Sequence, residues 1–370
     1  MTKDYRELIQ PLLDWYPDHH RDLPWRNTTD PYGIWVSEIM LQQTRVEAVK
    51  PYYHNFLEQL PDIKSLASCP EDQLMKLWEG LGYYSRVRNM QKAARILVDE
   101  YEGRMPADYD KILSLPGIGA YTAGAISSIA FQLPHAAVDG NVLRILTRAR
   151  EDARVTDEDK TRDCIRTDLE DALREMKTEN YGMFNQAMME LGATVCLPKG
   201  EARCDECPWN KDCEARKHHT IDQYPVRKKK KARRIEEKTV LLIRDGSRVL
   251  IEKRPKKGLL AGLYQFPNLE GRAGEKEIVS YLRELGLDPL RMTEIGQAKH
   301  IFSHVEWHMQ GYEVRVSDLT GFDIPSEKSK CLLADIEQVS REIAIPSAFR
   351  FYAEQLGLEI GMKNRLRCPP

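Results

Sequence analysis

At 370 residues, the chain is longer than a single hydrophobic core usually becomes, so its length predicts two domains or three. No stretch approaches the roughly 20 consecutive apolar residues of a membrane-spanning helix, and the N-terminus lacks the order of a signal peptide, so we expect a cytoplasmic protein. The formal net charge of −2 excludes a strongly basic protein, so any surface that binds a polyanion must be local.

Up to about residue 216, the sequence has the pattern of helices. Apolar residues recur at spacings of three and four, as in Leu8, Leu12 and Trp15, while Gly and Pro mark the helix ends. The periodicity stops between His218 and Glu237, where charged residues dominate. An exposed linker is therefore predicted there, and it marks the first domain boundary.

The linker contains a basic run, in which seven of the eight residues of Arg227–Arg234 are Lys or Arg. A run of this kind is often no more than a solvated connection between domains. A strip that binds phosphate groups has the same composition, and both interpretations stay open.

Beyond the linker, the apolar pattern changes from the helical period to alternation. The segments TVLLIR and RVLIEKR flank Asp245-Gly246, which predicts two strands joined by a tight hairpin turn. Alternation over Val305–Val316 places Val305, Trp307 and Met309 on one face of a strand. Helical stretches near Glu277–Leu285 and Ser347–Leu356 complete a small mixed α/β unit.

A turn with two glycines separates two of the helical stretches in the first region. Within Leu115–Gly119, Gly117 and Gly119 permit backbone angles and close approaches that a side chain would forbid. The free N–H groups of this turn, and of the helix that begins near Ala120, can donate to a phosphate oxygen of DNA without reading its sequence. Most such turns only join helices, so the turn alone is weak evidence for DNA binding. The carboxylate and the cysteine cluster that follow it in the sequence strengthen this interpretation.

Four of the eight cysteines fall within eighteen residues, with the spacing C-x7-C-x2-C-x5-C. Such crowding in a reducing compartment indicates a metal site rather than disulfides. Structural zinc and an iron–sulfur cluster both fit this spacing, and the spacing alone does not separate them. The predicted ligands are Cys196, Cys204, Cys207 and Cys213.

Two acidic residues have surroundings that suit cleavage of an N-glycosidic bond, which needs a proton donor for the leaving base and an anion near the sugar. Glu38 lies among apolar residues on a short predicted helix, where burial would raise its pKa. Asp139 precedes a helix beginning near Val142, whose N–H groups would keep it ionised. Taken singly, Asp139 also fits an ordinary helix N-cap and Glu38 a partly exposed helix acid.

Several motifs, in this order and spacing, resemble the adenine DNA glycosylases of the MutY type. That family belongs to the helix-hairpin-helix base-excision superfamily, and the resemblance covers nearly the whole chain. It favours a [4Fe–4S] cluster over zinc. The motifs are LPWR at Leu23–Arg26, SEIMLQQT at Ser37–Thr44, GLGYYSR at Gly80–Arg86, LPGIGAYTAGAI at Leu115–Ile126, VDGNV at Val138–Val142 and the cysteine loop.

The resemblance implies a multidomain fold, with an all-α helix-hairpin-helix core that carries the cluster loop, followed by a small α/β domain of the Nudix type. The helical region would span residues 1–216, with a six-helix barrel at about 26–134 and an iron–sulfur domain formed by 1–25 and 135–216. A basic linker at 217–236, the Nudix-like domain at 237–362 and a tail at 363–370 would follow.

The resemblance also implies the reaction, which is removal of adenine mispaired with 8-oxoguanine or guanine in double-stranded DNA by a monomeric enzyme that flips the base out. Glu38 would protonate the base and later activate water, Asp139 would support the positive sugar, and Asn141 would position this pair. Tyr121 stands where strand-cutting relatives carry a lysine that forms a Schiff base, so we expect little or no strand cleavage.

Further residues match positions that contact DNA in the family. Trp25, Arg26 and Gln186 match the lining of the adenine pocket, although Trp25 also fits a core aromatic and Gln186 a surface residue. Gln43 and Tyr83 match residues that enter the duplex beside 8-oxoguanine, as base flipping requires. The other predicted DNA contacts are Thr44, Arg86, Gly117, Gly119, Phe302, Ser303 and His304.

The C-terminal region resembles the Nudix-like domain that reads 8-oxoguanine, through GLLAGLYQFPN at Gly258–Asn268 and the loop at Phe302–His304. Only Arg283–Gly286 remains of the glutamate-rich box that would hold magnesium, so we expect no nucleotide hydrolysis by this domain. The chain departs from the family by one extra residue between Cys196 and Cys204 and by the weak match at Ile345–Phe349.

Two rival functions share these motifs. The first is a lyase-active enzyme of the thymine-glycol type, which Tyr121 and the C-terminal domain argue against. The second is a redox or DNA-binding adaptor without catalysis, which the presence of Glu38 and Asp139 disfavours.

Overall fold

The computed structural model describes residues 4–175, 179–229, 232–320 and 331–361. The predicted tail at 363–370, with Cys368, and two lysines of the basic run, Lys230 and Lys231, lie outside these ranges. The chain forms two compact units, Met1–Ser68 with Asn89–Lys230 and Cys69–Arg88 with Lys231–Pro370. No helix within the described ranges has the length and apolar composition needed to cross a membrane.

The first unit is helical, as the sequence predicts. A short helix, α5, lies in the second unit, and α6 runs from the second unit into the first. The helices up to the linker are α1 Arg6–His19, α2 Pro31–Leu41, α3 Val46–Gln59, α4 Ile63–Ser68, α5 Glu71–Leu77, α6 Ser85–Tyr101, α7 Tyr109–Leu113, α8 Ala120–Phe131, α9 Gly140–Arg150, α10 Asp159–Glu175, α11 Tyr181–Thr194 and α12 Glu214–Lys217.

Helices α2 and α8 pack against each other in the interior of the first unit. Both are apolar on nearly all sides, which is typical of a helix surrounded by protein. The Asp30 side chain caps α2 by accepting from the N–H groups of Tyr32 and Gly33. The glycine in the middle of α8 permits a close approach, since a Cβ on Gly124 would lie 2.6 Å from the carbonyl oxygen of Ala136.

A second cluster of apolar side chains joins α1, α9, α10 and α11. Its members include Leu12, Ile145, Leu169 and Leu191, each at most 1% exposed. Trp209 of the cysteine loop belongs to the same cluster and donates from Nε1 to the carbonyl of Leu8 at 2.8 Å. The loop is thereby attached to the first helix of the unit.

The second unit contains a mixed sheet with the order β3-β2-β1-β6-β5, in which β4 pairs with β1 and β7 with β2. Strands β1 and β6 are parallel, and the other pairs are antiparallel. The elements are β1 Arg234–Asp245, β2 Arg248–Lys253, β3 Tyr264–Gln265, β4 Asn268–Glu270, α13 Glu275–Glu284, β5 Pro289–Ile301, β6 Val305–Val316, β7 Cys331–Asp335, α14 Ile336–Glu342 and α15 Arg350–Gln355.

The predicted hairpin and the predicted alternation in this unit are confirmed. Asp245 pairs with Arg248 across the turn. Val305, Trp307 and Met309 are at most 3% exposed and share one core cluster with α15. The other face of the sheet packs against α13. Strand β1 starts at Arg234, inside the predicted linker, because pairing with β6 extends it over residues whose charged sequence resembles a loop.

The segment at 69–88 is attached to the sheet unit by a buried ion pair. Lys76 Nζ lies 2.9 Å from Glu79 and donates to the carbonyls of Val339 and Ile343 at 3.2 and 3.0 Å. Glu79 accepts from the backbone N–H of Ile345 at 2.9 Å. Because both charges are buried and paired, removal of either would leave the other uncompensated.

The contact at Gly124 predicts a loss of stability when a methyl group is added. Gly124→Ala should destabilise the first unit by about 1–3 kcal/mol, because the clash with the Ala136 carbonyl outweighs the better helix propensity of alanine. The melting temperature, followed by circular dichroism, should fall by several degrees. Gly119→Ala is the control, since a Cβ there would meet nothing within 4 Å. An equal or higher melting temperature for Gly124→Ala would contradict the packing described.

Candidate active site

Glu38 lies on α2 with only 6% of its surface exposed. The pKa of this carboxyl is raised to about 7, mainly by burial and also by the nearby charge of Asp139. A hydrogen bond from Tyr121 and the charge of Arg26 act in the opposite direction. Glu38 can therefore hold a proton near neutral pH, as a general acid must.

Tyr121 stands in the first turn of α8 and donates its hydroxyl hydrogen bond to Glu38. Burial raises the pKa of this phenol well above its ordinary value, and the charges of Glu38 and Asp139 add to the effect. The hydroxyl therefore stays protonated and acts as a hydrogen-bond donor.

Asp139 is the N-cap of α9, so the ordinary structural interpretation of this residue holds. Its Oδ1 accepts from the backbone N–H groups of Asn141 and Val142 at 2.8 and 2.9 Å. Its Oδ2 accepts from the Asn141 side-chain amide at 2.8 Å. These donors fix the orientation of the carboxylate while the residue remains half-buried beside Glu38.

A chain of hydrogen bonds connects this carboxylate to the cysteine loop. Asn141 Oδ1 accepts from Arg144 at 2.9 Å, and Arg144 is only 3% exposed. The same guanidinium donates to the carbonyls of Gly192 and Cys196. Arg144 therefore makes the position of Asn141, and through it that of Asp139, depend on the first cysteine of the loop.

The predicted catalytic residues meet in one cavity. Glu38, Asp139, Tyr121 and Asn141 all line a space of about 250 Å³ in the first unit, close to the lower end of small-molecule sites. Four other predicted residues line the same cavity, namely Trp25, Arg26, Gln186 and Thr44.

Two of the pocket residues are held by partners that were not among the predicted site residues. Gln186 Oε1 accepts from the Tyr16 hydroxyl at 2.7 Å, which leaves the amide nitrogen of Gln186 available as a donor. Arg26 donates to the buried carboxylate of Glu190 at 2.5 Å, which Arg21 also binds. Glu190 could have been found from the sequence, because it is an acid between Met189 and Leu191 on an apolar helix. Nothing in the sequence indicates the role of Tyr16.

The predicted DNA-contacting turns of this unit are exposed. Gln43 and Gly117 have positive φ angles of 58° and 79°. A Cβ on Gly117 would lie 2.6 Å from that of Asn89, so the hairpin turn requires glycine. A Cβ on Gly119 would meet nothing within 4 Å, so that glycine is not required by packing.

The remaining predicted DNA contacts lie in the second unit. The Tyr83 hydroxyl lies 3.2 Å from Ser303 Oγ, and Tyr83 is 46% exposed with a positive φ of 46°. The Arg86 guanidinium lies 5.8 Å from the centre of the Tyr83 ring. Phe302 packs at 4.9 Å from the Trp307 ring, while Ser303 and His304 are exposed. Phe302 thus anchors the loop in the core, while Ser303 beside it faces outward.

The four clustered cysteines line one cavity of the first unit, together with Trp209 and Arg148. All four thiols are free of disulfides. The Arg148 guanidinium donates to Cys196 Sγ at 3.4 Å, and burial raises the pKa of the Cys207 thiol to about 12. Among the described residues, no three Cys, His, Asp or Glu side chains are arranged to hold a single metal ion.

The sequence matches two families of known proteins. Residues 36–174 match the HhH-GPD superfamily of base excision DNA repair proteins, and residues 239–355 match the NUDIX domain. The structure is similar to that of a thermostable thymine-DNA glycosylase. The match covers 58% of this chain and 97% of the glycosylase, with 27% sequence identity and a TM-score of 0.51.

Curated relatives match almost the full length. The adenine DNA glycosylase of Mus musculus is 32% identical, with 97% of this chain and 80% of that protein covered. The adenine DNA glycosylase of Buchnera aphidicola subsp. Schizaphis graminum is 34% identical, with 85% and 89% covered. The predicted fold class, a helix-hairpin-helix core followed by a Nudix-like domain, is confirmed. The chain belongs to the adenine DNA glycosylases, the DNA repair enzymes that its motifs resemble.

Proposed function

We propose that this glycosylase removes adenine paired with 8-oxoguanine, or with guanine, from duplex DNA, and that it does so without cutting the strand. The observation that carries the proposal is the shared cavity, in which a buried Glu38 and a half-buried Asp139 face the same space. Such a pair provides the proton donor and the anion that glycosidic cleavage requires.

In the proposed reaction, the adenine nucleotide turns out of the helix and its base enters the cavity. Glu38 gives its proton to the base, the C1′–N9 bond breaks, and the bonding electrons leave with adenine. The Asp139 carboxylate stabilises the positive charge that grows on the sugar. Glu38, now ionised, takes a proton from water as the water oxygen bonds to C1′. The products are free adenine and an abasic site, and Glu38 regains its proton.

The presence of a tyrosine at position 121 supports the proposal that the enzyme does not cut the strand. A lyase forms a Schiff base between an amine and C1′, and a phenol cannot form one. The hydroxyl of Tyr121 is instead engaged with Glu38. The likeness to the thymine-DNA glycosylase concerns the shared helical fold.

We also propose that Cys196, Cys204, Cys207 and Cys213 hold a [4Fe–4S] cluster. Their all-sulfur donor set lines one cavity, as the ligands of a single centre would, and four cysteine thiolates are the usual ligands of such a cluster. The family to which the chain belongs favours the cluster over zinc. When bound, the cluster would supply a rigid anchor for the loop whose Cys196 carbonyl receives Arg144.

Recognition of 8-oxoguanine is assigned to the second unit. Tyr83 and Ser303 come from distant parts of the sequence and lie within hydrogen-bond distance, with Tyr83 available to stack on a base. The ion pair of Lys76 with Glu79 holds the segment that carries Tyr83 on the sheet unit. Gln43, on its exposed turn in the first unit, is proposed to enter the duplex.

Glu38→Gln should reduce the single-turnover rate of adenine release at least a hundredfold, because the proton donor is lost. The dissociation constant for the mispaired duplex should change less than threefold, since the phosphate contacts remain. Glu47→Gln, an exposed acid on α3, is the control and should excise normally. Equal losses of binding and excision would show that Glu38 is structural.

The same assay decides between the rival functions. Wild-type product should appear as a strand break only after alkali, whereas a break without alkali would indicate a lyase. Tight binding of the mispair with no release of adenine would indicate an adaptor.

The pH dependence should reveal the proton on Glu38. As pH rises through about 7, the protonated fraction falls, so kcat/KM should decline tenfold per unit above that point. Tyr121→Phe removes a hydrogen bond that favours the ionised carboxyl, so the decline should move to higher pH. A flat profile from pH 6 to pH 9 would contradict Glu38 as the acid.

Ser303→Ala should weaken the preference for 8-oxoguanine over guanine opposite adenine by about two- to tenfold, the value of one hydrogen bond. Ser247→Ala, in an exposed turn of the same unit, is the control and should leave the preference intact. The measurement is the ratio of kcat/KM for the two duplexes. An unchanged ratio would remove Ser303 from the recognition site.

A further inference from the structure

The beginning of the basic run is fixed on the helical unit. Thr156 donates from its backbone N–H and its hydroxyl to the carbonyl of Val226, at 3.0 and 3.1 Å. The backbone N–H of Lys228 donates to Asp157 at 2.8 Å, and its side chain pairs with Glu158 at 3.0 Å. The backbone on both sides of residue 227 is therefore held by the loop that precedes α10.

This arrangement directs Arg227 to the edge of the candidate active site. One nitrogen of its guanidinium lies 4.0 Å from the position that a Cβ on Gly140 would occupy, and Gly140 directly follows Asp139. The Arg227 side chain is exposed, and it makes no hydrogen bond or ion pair with any residue in the described ranges. Its neighbour Lys228, by contrast, is paired with Glu158.

We propose that Arg227 binds a backbone phosphate of DNA beside the nucleotide that occupies the Glu38–Asp139 cavity. The inference rests on the proposed function, since a nucleotide must enter that cavity. A cation next to a sugar that becomes positive would oppose the chemistry, so its role is to bind and not to react. The anion that accompanies every extruded nucleotide is its phosphate, and a guanidinium matches phosphate oxygens in a bidentate manner.

A contact between Arg227 and phosphate would reduce an electrostatic repulsion at the site. Asp139 must stay ionised to support the sugar, yet its charge repels the phosphates on either side of that sugar. Arg227 lies beside Gly140, the residue that follows Asp139, and its positive charge would offset this repulsion where the strand enters. Arg227, the first residue of the basic run, would thus bind one particular phosphate, whereas a general phosphate-binding strip would bind any part of the DNA backbone.

The test compares Arg227→Gln with Lys228→Gln, which removes the same charge one residue further along. Dissociation constants would be measured over a range of salt for two duplexes. One places 2′-fluoro-2′-deoxyadenosine, which resists cleavage, opposite 8-oxoguanine, and the other is the same sequence fully paired. Arg227→Gln should weaken binding of the first duplex about tenfold, as for one charge-assisted hydrogen bond, and change the second less than twofold.

The salt dependence gives a second readout. Loss of one phosphate contact should lower the slope of log affinity against log salt by about 0.9 for the mispaired duplex. Lys228→Gln should leave both duplexes and both slopes nearly unchanged. An equal loss on both duplexes would show a non-specific strip, and no loss would show that Arg227 does not contact DNA; either result overturns the proposal.

Adenine release by the wild-type protein from an unmodified mispair separates this proposal from the proposed function. If wild type excises adenine and Arg227→Gln binds normally, only the phosphate contact fails. If wild type neither prefers the mispair nor releases adenine, the proposed function fails and the phosphate assignment falls with it.

Discussion

The removal of one carboxyl group from water is the constraint on which the rest of the helical unit depends. Glu38 stands on α2, which packs against α8, and burial among these largely apolar helices raises the pKa of its carboxyl. Helix α8 also packs closely, at Gly124, against the backbone of Ala136 and Ala137, in the segment that leads to Asp139. Helix α8 therefore packs both against α2, which carries Glu38, and against the segment that leads to the second acid.

The two acids differ because their surroundings differ. Asp139 receives donors from a helix N-terminus and from Asn141, which suit an anion, whereas Glu38 has Tyr121 as its donor inside an apolar enclosure. In the proposed reaction, this difference makes Glu38 the acid and Asp139 the anion. Arg144, which donates to both Asn141 and the Cys196 carbonyl, connects the cysteine loop to the geometry of Asp139.

Much of this arrangement was predictable from local sequence, because local rules decide it. An acid among apolar residues indicated a buried Glu38, the Asp-Gly-Asn sequence indicated the cap at Asp139, and alternation indicated β6. The contacts that the sequence did not reveal join residues far apart. The Tyr16 hydrogen bond to Gln186 spans 170 positions, and no local pattern encodes it. The start of β1 was missed for the same reason, since only its pairing with β6 makes a strand of charged residues.

Direct observation of the Glu38 proton is the most decisive measurement. Infrared or carbon NMR titration of protein labelled at glutamate carboxyl carbons, compared with Glu38→Gln, would isolate the signal of this one group. We predict a carboxyl that ionises near pH 7, far above the ordinary glutamate value of 4.5. A Glu38 signal that is already fully ionised at pH 6 would contradict the assignment of this residue as the proton donor.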